Sequence, residues 1–206
     1  MKIIAWSDTH FYHQQVPLPD GDVLIHAGDF CKSGSLHEVA EFNDYLGLLP
    51  HRHKIVVAGN HDWAFENDPE AAQYLLTNAI YLQDQSIEIE GYRFYGSPWQ
   101  PEFFSWAFNL QRGAEIRQKW DLIPSGLDVL ITHGPPQGYC DEIFKGKRVG
   151  CEELLKAVQR VQPRYHVFGH IHEGYGQARC GKTLCINASI CNHRYQALNP
   201  AQVFEI

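Results

Sequence analysis

Short apolar runs recur along the chain, and each stops at residues able to hold a metal ion. Ile3–Trp6 runs into Asp8-Thr9-His10, and Val23–Ile25 into Gly28-Asp29. Ile55–Ala58 runs into Gly59-Asn60-His61-Asp62, Val129–Ile131 into Thr132-His133-Gly134, and His166–Phe168 into Gly169-His170-Ile171-His172. Runs this short and this rich in branched residues predict buried strands. Between them the apolar period lengthens to that of helices. Leu36–Leu49 is such a stretch, with Ser35 as cap and Glu38 three residues on, and Pro69–Leu76 is another, with Asp68 as cap and proline at its first position. Asn109–Trp120 and Cys151–Val161 are also predicted to be helical. Alternating residues on either side of Glu90-Gly91 and Gly181-Lys182 predict two hairpins, and Val203–Ile206 a closing strand.

Parallel crossovers mixed with hairpins predict an α/β fold: two packed mixed β-sheets flanked by helices, an αββα sandwich. The length of 206 residues fits one domain spanning 1–206. In a parallel sheet the loops leaving the carboxyl ends of the strands gather on one edge. Five loops would therefore deliver Asp8, His10, Asp29, Asn60, His61, His133, His170 and His172 to one place.

Carboxylate, imidazole and carboxamide with no thiolate form a donor set suited to Mn, Fe or Zn rather than to Ca or Mg. Asp29 stands alone after its strand and is the natural bridge between two ions. Two ions roughly 3.5–4 Å apart can clamp a phosphoryl group during in-line displacement.

The ordered phrases Asp-x-His, Gly-Asp, Gly-Asn-His-Asp, His and Gly-His-x-His resemble the calcineurin-like metallophosphoesterase superfamily. Phe-Asn-Asp-Tyr-Leu-Gly, Ile-Thr-His-Gly-Pro-Pro, Val-Phe-Gly-His-Ile-His-Glu-Gly-Tyr-Gly and Ile-Asn-Ala-Ser resemble its metallophosphoesterase-domain-containing branch, close to class III cyclic nucleotide phosphodiesterases. The resemblance implies two divalent metal ions, manganese first, with iron or zinc as alternatives. Asp8, His10 and His172 would hold the first ion, Asn60, His133 and His170 the second, and Asp29 would bridge. It further implies a metal-bridging hydroxide as nucleophile and His61 as the proton donor over the phosphate, with Asp62 orienting the His61 imidazole. Asn60, His61 and His133 would touch the substrate. Some members of the branch carry glycine where this chain has His170, so the intact Gly-His-Ile-His implies a complete two-metal site. The implied activity is phosphodiester hydrolysis on a small nucleotide, cyclic nucleotides included. The competing expectation is a nucleotide-binding or scaffold protein on the same fold with little or no turnover.

Net charge of −7 argues against a basic nucleic-acid face, so no stable nucleic-acid complex and no nuclease role is expected. Hydrophobic content of 44% with charged content of 20% is that of an ordinary globular chain, and no apolar run approaches a membrane span. The start Met1-Lys2-Ile3-Ile4 has no apolar leader, so a cytoplasmic protein with six reduced cysteines is expected. A homodimer is left open by the resemblance. His26 and His166 read as buried structural groups, His37, His51 and His53 as surface groups, and His13 as uninvolved. Asn187 reads equally as a site residue or as a turn residue. The stretch Trp99–Phe108 reads mainly as packing under a loop, with one or two rings at the pocket. Arg112, Lys145, Lys147 and Arg148 are cations that either contact phosphate or remain solvated.

Overall fold

The computed structural model describes residues 1–206. Its first half carries β1 (Lys2–Trp6), β2 (Val23–His26), α1 (Leu36–Leu48), β3 (His53–Val56), α2 (Ala64–Asn67), α3 (Pro69–Leu75), β4 (Ile80–Tyr81), β5 (Gln85–Ile89) and β6 (Tyr92–Ser97). There follow β7 (Gln100–Pro101), β8 (Asn109–Leu110), α4 (Ala114–Asp121), β9 (Val129–Thr132), β10 (Glu142–Ile143), β11 (Lys147–Arg148) and α5 (Glu152–Val161). The chain ends with β12 (Tyr165–Phe168), β13 (Gly176–Cys180), β14 (Thr183–Asn187) and β15 (Gln202–Glu205).

Period-two alternation explains the layers, because successive side chains on a strand point to opposite faces. One sheet has the order β15-β1-β2-β3-β4, the other β13-β14-β12-β9-β6-β5. Ile3, Ala5, Val23, Ile25 and Ile55 from the first meet Phe94, Val129, Ile131, Val167 and Ile186 from the second in a dry layer between them. The intervening residues point outward. Ile4, Trp6, Leu24 and Val56 pack under α1 to α3 against Val39, Phe42, Leu46 and Phe65. Tyr95, Leu130, Phe168 and Cys185 pack under α4 and α5 against Ile116, Trp120, Leu154 and Val158. The arrangement is the expected sandwich with helices on both outer faces.

Strands β1, β2 and β3 run parallel, as do β6, β9, β12 and β14, so their carboxyl ends share one rim. Helix α1 opens with the expected capping box, each of Ser35 and Glu38 accepting from the other's backbone N–H. The Glu90-Gly91 turn has φ of 52° and 84°, the left-handed pair that a two-residue hairpin requires. Asn109–Trp120 is not one helix. Gly113 sits at φ 88°, outside the helical region, so Asn109–Leu110 pairs with β7 and the helix starts only at Ala114. The short elements α2, β4, β10 and β11 have too few residues to show a period in sequence. All six cysteines are free thiols. No helix is long and apolar enough to cross a membrane.

Candidate metal and phosphate site

Four of the expected metal-binding residues stand on strained backbone. Asp8, His10, Asp29 and His170 have φ of 54°, 42°, 59° and 66°, where a side chain is disfavoured. The strain turns the chain sharply at the strand ends and aims the side chains into one hollow. Neighbouring glycines leave room for them. A Cβ on Gly169 would lie 2.0 Å from Asp8 Oδ2, and one on Gly59 would lie 2.3 Å from Asp29 Oδ1.

Two groups of donors result. The ligating atoms of Asp8, His10 and His172 lie within 4.8 Å of one another, as do those of Asp29, His133 and His170. Asp29 also groups with His10 and His61, so it stands between the two sets. Asn60 joins the second group, its Oδ1 3.0 Å from His133 Nε2.

The outward ring nitrogens are held by carbonyls. His133 Nδ1 donates to Ala27 O at 2.9 Å, and His172 Nδ1 to Asn192 O at 3.0 Å. Each ring in its neutral form then keeps its Nε2 lone pair facing inward, the arrangement that orients a metal-binding imidazole. His133 Nε2 faces the oxygen of Asn60 and, at 3.5 Å, Asp29 Oδ2. His172 Nε2 faces His10 Nε2 at 3.2 Å and Asp8 Oδ1 at 3.3 Å. Lone pair against lone pair is repulsive unless a cation lies between them, so these residues fit a pair of divalent ions.

The titration behaviour shows the same demand for positive charge. Burial alone would lower His133, but Asp29 beside it raises it to about 9. Burial raises Asp8 and Asp29, yet the facing histidines outweigh it and hold both below the usual carboxylate range. Burial pushes His10 down to about 4 and His170 to about 3. Asp8 is further fixed by Ser189 Oγ at 2.9 Å and by the backbone N–H of His170 at 3.0 Å.

His61 lies at the mouth, its backbone N–H donating to Asp29 Oδ1 at 2.7 Å. Its Nδ1 is 3.0 Å from Lys32 O. Asp62 does not orient it, contrary to expectation. The Asp62 carboxylate is fully buried and accepts from the backbone N–H groups of Asp29, Cys31 and Gly59 at 2.7–2.9 Å. Burial, then the charge of Asp29, push its pKa up to about 8. His133, expected to touch substrate, is fully buried and does not line the cleft, because its ring is walled in by the Gly28 and Gly59 backbone.

A cleft of about 1030 Å³ opens above the donors and is lined by His10, Asp29, Asn60, His61, His170 and His172 at its floor. Phe103, Phe104, Trp106, Phe144, His193 and Tyr195 line it as well, so three rings of the aromatic stretch reach the cleft. Trp99 and Phe108 pack instead into the core. Arg112, Lys147 and Arg148 all line the cleft, Arg112 also engaged by Val149 O, Gly150 O and Glu152 and Arg148 by Gly138 O and Asp141, while Lys145 is exposed outside that lining. Asn187 ties the Cys140 and Ile171 carbonyls and does not face the donors. Tyr195 packs on His10 at 4.8 Å and on His172 at 5.3 Å. Sequence reasoning missed Tyr195 and Ser189. Only the Ile-Asn-Ala-Ser phrase, ending a strand at the same rim, pointed to Ser189.

His26 and His166 are buried supports, as expected. His26 contacts Thr9 Oγ1 at 3.0 Å and His166 contacts Thr132 Oγ1 at 2.8 Å, each beneath a donor loop. His13 packs among Phe11, Phe42 and Tyr45. His37 is exposed, but His51 is 3% exposed with its Nε2 on Pro19 O, and His53 is half-buried in β3, so neither is a plain surface group.

Residues 1–174 match the family model of calcineurin-like phosphoesterases. The human and mouse metallophosphoesterase domain-containing protein 1 are each 49% identical over 100% of this chain and 71% of theirs. A UPF0046 protein of Caenorhabditis elegans is 42% identical over 100% of this chain and 81% of its own. Among solved structures, an archaeal phosphodiesterase aligns over 100% of this chain and 93% of its own, with TM-score 0.51 and 20% identity, a likeness of fold. The chain belongs to the calcineurin-like phosphoesterase family, whose members are metal-dependent phosphoesterases.

Proposed function

We propose that the chain is a dinuclear-metal phosphodiesterase that hydrolyses small nucleotide phosphodiesters. The observation that supports it most is the pair of donor groups flanking Asp29 on the floor of one cleft, with His61 at its mouth. Asp8, His10 and His172 would hold one ion, Asn60, His133 and His170 the other, and Asp29 would bridge. The mixed N/O donors favour manganese, with iron or zinc as alternatives. When bound, the ions supply an activated water and positive charge against the phosphoryl oxygens.

The protein's own groups do the rest. The Ala27 and Asn192 carbonyls fix the tautomers of His133 and His172. Asp62 locks the Gly28-Asp29 and Gly59-Asn60 turns together through three N–H groups, so both loops keep one spacing. His61 offers Nε2 to the leaving oxygen while Nδ1 rests on Lys32 O. Phe103 and Phe104 offer faces on which a base can stack, which supports a nucleotide over a simple ester.

The test is metal analysis and turnover of a chromogenic diester by manganese-loaded protein, with His61→Ala beside it and a panel of cyclic nucleotides after. Two metal equivalents, metal-dependent turnover and a loss of about 10² or more in the variant are expected. Two metals with no turnover of any ester, but equilibrium binding of AMP or GMP, would replace the enzyme by a nucleotide-binding protein.

A further inference from the structure

A proton donor works only if its ring is held at the right angle, and His61 lacks a carboxylate to hold it. Asp62 is occupied by three backbone N–H groups, and the sole hydrogen bond to the His61 ring is from Nδ1 to Lys32 O at 3.0 Å. One hydrogen bond fixes a ring atom but leaves the ring plane free to tilt about it. The plane is fixed by contact: the indole of Trp106 lies against the imidazole with centroids 4.3 Å apart and planes 33° from parallel. A second ring contact comes from His10, edge-on at 4.6 Å and 79°.

The segment bearing Trp106 is anchored to the site rather than hanging over it. Ala107 N–H donates to Asn60 O at 3.3 Å, the carbonyl directly before His61. Phe108 N–H donates to Glu66 Oε1 at 2.9 Å, and Gln100 Nε2 to Ala107 O at 3.1 Å. Trp106 and His61 thus share one backbone frame, and indole and imidazole keep register.

We propose that Trp106 is a positioning residue that aims His61 Nε2 at the leaving oxygen of the substrate; this rests on the phosphodiesterase reading above. In the step it serves, a water oxygen forms the new bond to phosphorus. The bond to the leaving oxygen breaks, its electron pair staying on that oxygen. The leaving oxygen takes the Nε2 proton, while Nδ1 keeps its own proton, hydrogen-bonded to Lys32 O. The proton shed by water returns to Nε2 through solvent.

The experiment is a series of methyl aryl phosphate diesters running from p-nitrophenol to unsubstituted phenol as leaving group. It is run on wild type, Trp106→Ala, Trp106→Phe, His61→Ala and the Trp106→Ala/His61→Ala double variant, each with its metal content measured. A misaimed donor matters most where the leaving oxygen most needs a proton. Trp106→Ala should lose about tenfold or more in kcat on the phenyl ester and under about threefold on the nitrophenyl ester, with KM little changed. Trp106→Phe should keep the wild-type slope, and Trp106→Ala should add nothing in the His61→Ala background. An equal loss across the series, or a further loss in the His61→Ala background, overturns the inference and makes Trp106 a substrate wall. Absence of wild-type turnover on every ester overturns the phosphodiesterase reading and this inference with it.

Discussion

Gly169→Ala adds one methyl group, and the structure says where it goes. The new Cβ would stand 2.0 Å from Asp8 Oδ2 and 2.2 Å from Ser7 Oγ, both buried. Gly169 does not use a positive φ, so alanine is acceptable to its backbone and the effect is purely one of space. Contacts under 3.0 Å are not tolerated, so the Asp8 oxygen must retreat by at least about 1 Å. It cannot do so freely, because Ser189 Oγ and the His170 N–H hold the same carboxylate. Overpacking of this kind costs about 1–3 kcal/mol, and for a chain of this length each kcal/mol lowers Tm by about 2–4 °C. The larger effect falls on the chemistry, where a misplacement of about 1 Å costs about 10²-fold. Metal stoichiometry by mass spectrometry and kcat/KM on a chromogenic diester should show the loss of one metal equivalent and about a hundredfold in rate. Gly134→Ala is the control: it flanks His133, yet its Cβ would meet nothing nearer than Gln100 Cβ at 3.5 Å, and it should behave as wild type. A Gly169→Ala protein with two metals and turnover within about twofold of wild type would refute the placement of Asp8 as a ligand.

His170→Gly removes a donor of the second group, and metal analysis should find one equivalent fewer with most turnover gone; unchanged content and rate would remove His170 from the site. Asp62→Asn can satisfy only part of the three N–H groups that the carboxylate accepts. Each orphaned buried group costs about 1–3 kcal/mol, so calorimetry should show Tm falling by several degrees. An unchanged Tm would mean that Asp62 does not hold the turns. Acid should destabilise the protein partly through His166. Thr132 Oγ1 donates to Gly134 O, so it accepts from His166 Nε2, and Nδ1 has no partner to receive a second proton. Burial therefore holds this ring down at about 3 against an unfolded value of 6.5. The folded state binds fewer protons, so the contribution is complete above pH 6.5 and is lost as pH falls toward 3. At pH 5 the loss is about 2 kcal/mol. Wild type should lose several degrees of Tm more than His166→Gln between pH 7.5 and 5, and equal losses would show that His166 is not buried in neutral form.

Layer order was legible because burial on a strand alternates with a period of two. Ile3 and Ala5 enter the inter-sheet layer while Ile4 and Trp6 face the helices, and the same parity separates Val129 and Ile131 from Leu130. The capping box at Ser35 and the hairpin at Glu90-Gly91 were legible for the same reason, since each needs particular side chains at fixed offsets. The helix at Asn109–Trp120 was misread because apolar spacing carried no account of Gly113, whose φ of 88° lets the chain change direction first. Strands of two residues such as β7 and β10 are made by partners, not by local preference, and no window of sequence reveals them.

The donor set was legible because ligand chemistry is a property of side chains, but the device that positions it is mostly backbone. The carbonyls of Ala27, Asn192 and Lys32 hold the three rings His133, His172 and His61, and a carbonyl leaves no mark on residue identity. For the same reason Asp62 was misjudged: adjacency to His61 suggested a carboxylate–imidazole pair, whereas a turn at Gly59 points the two side chains apart and turns Asp62 toward N–H groups. The strained φ values at Asp8, His10, Asp29 and His170 mark where this backbone frame is set. Each is disfavoured by about 1–3 kcal/mol, and four in one hollow persist only because the surrounding hydrogen bonds over-determine them. Strain concentrated on the residues that would share the ions, and absent from His133 and His172, which carbonyls already hold, is the pattern expected if the site is preformed before metal arrives.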